Sequence, residues 1–215
     1  MDPKAFVLAN TAIASPPLVP EIPLHLATEV TPIWHATAKT LEHHEVPPPF
    51  WAFAWAGGQA LARYILDHPE TVAGKDVLDL ASGSGMVAIA AAKAGARRVT
   101  AADIDPFAAA AIALNTALNE VTVAIETRDL LDRGPAGWGV ILAGDVCYEE
   151  PMASRTINLL RRIAARGRLA LLGDPGRAYL PREGLLERAR YTVPVSRELE
   201  DQEAKEGVVF EVRAE

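Results

Sequence analysis

From Gly58 onward the apolar positions change their period in a regular alternation. Gly58 to His68 carries the three-to-four spacing of a buried helix face, and Asp76 to Ala81 is an apolar run of strand length. The alternation continues with a helix over Met86–Ala94, a strand over Arg98–Ile104 and a helix over Pro106–Asn119. Strands over Val121–Thr127 and Gly139–Val146, a helix over Glu150–Ala165, a strand over Arg168–Leu172 and a helix near Arg182–Arg190 complete the pattern. Such βα alternation predicts an α/β fold whose largely parallel sheet is covered on both faces. The tail departs from the rhythm. Tyr191–Ser196 and Gly207–Val212 read as strands joined by the charged segment Arg197–Glu206, which predicts a closing antiparallel hairpin.

The first stretch of the chain reads differently. Pro16, Pro17, Pro20 and Pro23 exclude a continuous helix there, a short amphipathic helix is expected from Ile33 to Leu41, and Pro47-Pro48-Pro49 stops it. Too few apolar residues lie here for a separate core, so residues 1–47 are expected to pack as an N-terminal extension on a main domain of residues 48–215. Glu42-His43-His44-Glu45 suggests a metal site only superficially, because neighbouring positions on a helix point to different sides.

Composition narrows the function. The 215 residues include one cysteine, Cys147, which excludes an internal disulfide framework, and no Cys/His spacing suggests zinc. A formal charge of −7 argues against a general nucleic-acid binder. No apolar run reaches the roughly 20 residues of a membrane-spanning helix, so no membrane partner is expected. Cys147 lacks the histidine motif that would activate it as a nucleophile. The arginines from Arg155 to Arg168 read as a solvated helix face or a docking surface.

The chemistry concentrates at strand ends. Val77-Leu78-Asp79-Leu80 runs into Ala81-Ser82-Gly83-Ser84-Gly85 and straight into a helix, a tight turn where open α/β sheets bind ligands. Glycines at 83 and 85 let the backbone approach a ligand closely, although Gly83-x-Gly85-x-x-Ala88 also fits a dinucleotide fingerprint. Three acids discriminate. Asp103 ends the second strand eighteen residues after Gly85, where a carboxylate accepts from ribose hydroxyls. Asp79, beside the glycines, would repel a pyrophosphate and attract a cationic ligand, and Asp129 is placed to accept from an adenine amine, with helix or turn capping as the alternative for both. A phosphate-free, positively charged cofactor suits this rim better than NAD, which points to S-adenosylmethionine.

These residues resemble the class I, seven-stranded S-adenosylmethionine-dependent methyltransferases. Asp79 to Gly85 is similar to their first motif, Ala102-Asp103-Ile104-Asp105 to their second-strand acidic motif and Arg128-Asp129-Leu130 to their adenine-side motif. The resemblance implies a Rossmann-like seven-stranded sheet, with Ala81, Gly83, Gly85, Asp103, Ile104, Asp129 and Leu130 around the cofactor. Asp145-Val-Cys-Tyr148 resembles the Asp-x-x-Tyr signature of protein-lysine methyltransferases. Asp145 would attract and orient the acceptor amine, at the edge of the cofactor site, while Tyr148 would flank it with a ring; helix capping by Asp145 and rim packing by Tyr148 are the alternatives.

The run Phe50-Trp51-Ala52-Phe53-Ala54-Trp55-Ala56-Gly57-Gly58 could wall the cofactor's methionine end through Trp51 and Trp55, or pack as core. Together with the glycine loop, Asp103 to Phe107 and Asp145-x-x-Tyr148, it is similar to the electron-transfer-flavoprotein β-subunit lysine methyltransferase family. That resemblance implies methyl transfer to lysine ε-amines of the flavoprotein β subunit. It also implies a cytoplasmic setting in bacteria or a mitochondrial one in eukaryotes, and an N-terminus that does not read as an Arg-rich, acid-free presequence favours the bacterial case. Oligomeric state is open, with a monomer expected. The competing readings are methylation of another protein, such as a ribosomal protein, or of a small amine, and a non-catalytic cofactor-binding or NAD-binding module.

Overall fold

The computed structural model describes residues 2–28, 33, 48–132, 137–195 and 203–214. The helix expected over Ile33–Leu41, apart from Ile33 itself, the Glu42–Glu45 cluster and most of the Arg197–Glu206 connection lie outside the described residues.

The described elements are, in chain order, α1 (Pro3–Asn10), β1 (Ala12–Ala14), β2 (Leu24–Leu26), α2 (Ala56–Asp67), β3 (Asp76–Leu80), α3 (Met86–Lys93), β4 (Arg98–Ala102), α4 (Pro106–Leu118), β5 (Ala124–Glu126), β6 (Val140–Gly144), α5 (Met152–Ala164), β7 (Leu169–Asp174), β8 (Leu185–Pro194) and β9 (Ala204–Val212). Seven strands form one sheet in the order β5-β4-β3-β6-β7-β9-β8. β5, β4, β3, β6 and β7 run parallel, whereas β9 enters antiparallel to β7 and β8 antiparallel to β9. This is the Rossmann-like, mostly parallel seven-stranded sheet with a C-terminal hairpin.

β3 is buried at all five positions and β6 at four of five, as expected for strands covered on both faces. On one face Leu61, Ile65, Ile89 and Ile112 of the helices pack against Val77, Val99, Val140 and Leu142. On the other, Ile157, Leu160 and Ile163 of α5 cover Leu78, Ile141 and Leu172. α4 starts with Asp105 accepting from Phe107 N at 2.8 Å and Pro106 in its first turn, a capped helix start that leaves Asp103 free for other work.

One expected helix is a strand. Residues 185–194 form β8, paired with β9 along its length with a bulge between Glu187 and Ala189. Leu186, Glu187, Arg188 and Arg190 give an irregular amphipathic pattern that a helix and a twisted edge strand share, and the pairing with β9 decides it. Pro3–Asn10 forms α1, with Asp2 accepting from Lys4 N at 3.2 Å, and the antiparallel pair β1–β2 follows.

This N-terminal region is hydrogen-bonded to the glycine turn through one side chain. Asn115, completely buried on α4, accepts from His25 N at 2.7 Å and donates to the Ser84 carbonyl at 2.8 Å. Asn115→Leu leaves a buried N–H and a carbonyl without partners, at about 1–3 kcal/mol each. The two together make about 2–6 kcal/mol, so the expected result is a Tm lowered by about 4–24 °C for a domain of this size, read by thermal unfolding.

Candidate active site

At the carboxyl ends of β3, β4 and β6 the sheet opens into a cavity of about 830 Å³. Two non-glycine residues in the left-handed region mark its rim, Ala81 after β3 (φ 52°) and Asp145 after β6 (φ 54°). Such backbone is costly and persists where surrounding contacts hold it. Here Asp145 N donates to the Gly173 carbonyl at 2.9 Å, and Ser82 N to the Ala102 carbonyl at 3.1 Å.

The glycine turn is built around Asp103. Its Oδ2 accepts from Gly83 N at 2.8 Å and its Oδ1 from Asp105 N at 3.0 Å, which aims the carboxylate along the cavity wall. Burial pushes its carboxyl above the ordinary range, opposed by those two N–H donors. Gly85 precedes α3 with φ 83°, and a Cβ there would lie 3.3 Å from Ile112, so both backbone and packing call for glycine.

Asp103, Ile104, Ala81, Gly83, Trp51 and Trp55 all line the cavity, as do Asp129, Leu130, Asp145 and Tyr148. Ile104 is 70% exposed, an open apolar surface beside Asp103. Asp79 and Gly85 do not line it. Asp79 is buried one layer behind, where its Oδ2 accepts from Ser82 Oγ and, at 3.0 Å, from Ala88 N. Burial pushes its carboxyl up to about 7, and the two donors resist that shift. The structure thus gives Asp79 the glycine turn and the α3 N-terminus as its partners.

Asp129 has a turn partner and an ion pair: Oδ1 accepts from Leu131 N at 2.9 Å and Oδ2 from Arg155 Nη2 at 2.8 Å. The backbone N–H first and then Arg155 hold its carboxyl below the ordinary range. Arg155 also reaches Asp132, so this member of the arginine series ties α5 to the loop after β5.

The far end of the cavity is acidic and aromatic. Asp145 is buried; its Oδ2 accepts from Gly58 N at 2.7 Å, and Oδ1 accepts from Arg177 Nε at 3.1 Å and Nη2 at 2.8 Å. Burial pushes the carboxyl up to about 6 against the pull of Arg177. Asp145 does not cap α5, which begins only at Met152, but through Gly58 N it satisfies a first-turn N–H of α2. Tyr148 stands 5.2 Å from Phe50 between ring centres, and Phe50 stands 6.3 Å from Trp55. Burial and then Glu149 push the Tyr148 phenol up to about 12.

Arg177 is the residue that reading the sequence missed. It follows β7 in Gly173-Asp174-Pro175-Gly176-Arg177, a turn whose Asp-Pro-Gly signal is legible but whose side-chain direction is not.

A ligand of S-adenosylmethionine's kind fits these residues. Trp51 is buried beside the glycine turn and lines the cavity, closing one wall of the space such a ligand would fill. Asp103 can accept from ribose hydroxyls. No phosphate-sized cluster of cations lies at the glycine turn, among the described residues, where Asp79 and Asp103 stand instead.

The fold and this site define a class I S-adenosylmethionine-dependent methyltransferase. The chain is 42% identical over 182 residues to the human electron transfer flavoprotein beta subunit lysine methyltransferase, covering 82% of this chain and 68% of that protein. It is 41% identical to the Xenopus laevis protein of the same name over 178 residues, 82% of this chain and 71% of that one. The chain therefore belongs to the electron transfer flavoprotein β-subunit lysine methyltransferase family.

The family profile described as ribosomal protein L11 methyltransferase (PrmA) matches residues 60–144. Among solved structures, magnesium protoporphyrin IX methyltransferase from Synechocystis, with bound SAH, superposes with a TM-score of 0.52 at 17% identity, covering 72% of this chain and 80% of that one. These relatives correct one expectation. Human and frog proteins at this identity overturn the bacterial cytoplasmic setting, which rested on the composition of the N-terminus. Asp2 serves as the N-cap of α1, a structural task that carries no address. No helix among the described residues is long and apolar enough to cross a membrane.

Proposed function

We propose that the protein methylates lysine ε-amines of the electron transfer flavoprotein β subunit, with Asp145 and Tyr148 at the acceptor nitrogen and Trp51, Ala81, Gly83, Asp103, Ile104, Asp129 and Leu130 around the cofactor. The observation that carries this reading is the juxtaposition of a buried carboxylate, Asp145, with the rings of Phe50, Trp55 and Tyr148 in one cavity that Asp103 also lines. Asp79 and Gly85 act from behind, by holding the glycine turn.

When bound, S-adenosylmethionine supplies a methyl carbon activated by a positive sulfonium. The chain supplies the rest. A lysine in water has a pKa near ~10.4 and arrives protonated. Asp145 can guide that ammonium inward and then accept an N–H from the neutral amine, while the flanking rings exclude water and tolerate N-methyl groups. The amine must shed its proton before it attacks. Tyr148 and Cys147, both pushed up to about 12, are protonated at neutral pH and cannot take it; water at the mouth can.

Asp103→Ala removes the cofactor's hydroxyl acceptor. Charge-assisted hydrogen bonds of this kind contribute about 1.5–3 kcal/mol, so Kd for S-adenosylmethionine is expected to rise about 10- to 100-fold by calorimetry, with kcat at saturation much less changed. The function itself is tested with radiolabelled cofactor and purified flavoprotein, with ribosomal protein L11 beside it. Label on lysines of the β subunit supports the proposal. Label confined to L11, or absent from both, overturns it.

A further inference from the structure

Arg177 is bound to the carboxylate that the acceptor nitrogen is expected to meet, and the turn after β7 fixes it there. Asp174, completely buried at the end of β7, accepts from both Gly176 N and Arg177 N at 2.7 Å through Oδ1. From that fixed turn the guanidinium reaches Asp145 Oδ1 with two N–H groups, and its Cζ lies 5.4 Å from the centre of the Trp55 ring. Only 17% of the side chain is exposed. A carboxylate and an aromatic wall suited to an ammonium therefore already hold a cation.

An unpaired carboxylate in a desolvated pocket would stabilise an incoming lysine in its charged form and raise its pKa. The ammonium has no lone pair, so a site that binds it tightly binds an unreactive species. A fixed positive charge on the same carboxylate removes most of that preference. We propose that Arg177 is a positioning residue for methyl transfer: by closing an ion pair with Asp145 it keeps that carboxylate from trapping the acceptor lysine as its ammonium, so the nitrogen is presented as a neutral amine. This rests on the reading that the acceptor meets Asp145.

The surrounding charges make the role necessary. Asp174 beyond β7, Asp103 beyond β4 and Glu149 beside Tyr148 are acids on three sides, and each favours an ammonium. Glu150 adds to the negative field at Cys147. Cys147 and Tyr148 stay neutral, and α2 contributes the Gly58 N–H with no charged side chain in its first turn. The other cations lining the cavity, Arg128 and Arg155, are paired with Glu126 and with Asp129 and Asp132. Arg177 is the cation paired with Asp145 itself.

The test measures kcat against pH, from about 6.5 to 10 so as to approach free lysine's ~10.4, on the full chain with purified flavoprotein β subunit and saturating cofactor. The parent's rising limb is expected at least one pH unit below the free-lysine value. Arg177→Gln should move that limb up by about one unit, so that a roughly 10-fold loss near neutrality is largely recovered at high pH, following from the one-unit-to-tenfold relation. Arg177→Lys, which keeps the charge, should retain the parent's profile, and Arg177→Met, which keeps the packing on Trp55, should behave as Gln does. An equal loss at every pH would assign Arg177 a structural role and overturn the proposal, as would unchanged kinetics. A parent limb at the free-lysine value overturns it without any variant. If Asp145→Asn methylates like the parent, the reading of the acceptor site has failed; if only the Arg177 variants are silent, that reading stands and this inference falls.

Discussion

Asp145→Asn is expected to lower kcat for lysine methylation by at least about 100-fold, the usual scale for removing one preorganised polar group at a reacting centre. Cofactor affinity should stay within a few-fold of the parent. The substitution is chosen for its backbone. Asp145 sits at φ 54°, a conformation that asparagine adopts readily, so the turn after β6 should keep its shape and the Gly58 N–H can still be received by the amide oxygen. What is lost is charge. The amide NH2 then faces the Arg177 guanidinium that the carboxylate held, and neither an ammonium nor an amine finds its acceptor. The pH dependence follows in sign. With its carboxyl pushed up to about 6, Asp145 loses the ionised form as pH falls through that value. The parent should therefore lose activity on acidification beyond what lysine protonation explains. Calorimetry with S-adenosylmethionine alongside methylation assays separates the effects. Methylation within three-fold of the parent would remove Asp145 from the acceptor site.

How far the site could be read from the chain depended on whether its residues were local in sequence. The glycine turn, Asp103 and the Asp105-Pro106 helix start were legible because strand, turn and helix signals lie within a few residues of one another. β6 and β7 carry near-continuous apolar runs, whereas β3 is broken by Asp79 and β4 by Thr100, and their places between turn signals and helices support the strand reading. β8 reads as a helix in the sequence because an edge strand with charges on one side lacks clean alternation, and its identity comes from its pairing with β9. Asp79 was placed at the ligand because its charge was legible and its burial was not. Its hydrogen bonds to Ser82 and Ala88 turn it inward. Arg177 escaped because its partner lies thirty-two residues away, across β7. A conspicuous turn announces a change of chain direction and says nothing of the carboxylate its next side chain will meet.

Gly57→Ala is expected to damage fold and activity together. Alanine normally improves a helix by up to about 1 kcal/mol over glycine, so propensity alone favours the change. Contact reverses the sign. A Cβ on Gly57 would overlap the Gly173 carbonyl oxygen and lie 2.7 Å from Asp145 Oδ2, and a Cβ on Gly173 would in turn overlap the Gly57 oxygen. The first turn of α2 thus lies backbone to backbone on the end of β7. Gly173 cannot yield easily, because its oxygen receives Asp145 N at 2.9 Å and its residue pairs with Val209 of β9. Overpacking of this kind costs about 1–3 kcal/mol, which lowers Tm by roughly 4–10 °C in a domain of this size. Methylation should fall further than stability, since the same Cβ pushes Asp145 away from Gly58 N. Gly58→Ala is the control. Its Cβ would meet the Met86 Cε at 3.1 Å, the free end of a flexible side chain, and stands 3.9 Å from Asp145 Oδ2. Thermal unfolding and methylation assays on both should rank Gly58→Ala well above Gly57→Ala. Equal behaviour would mean that the α2 turn does not set the position of Asp145.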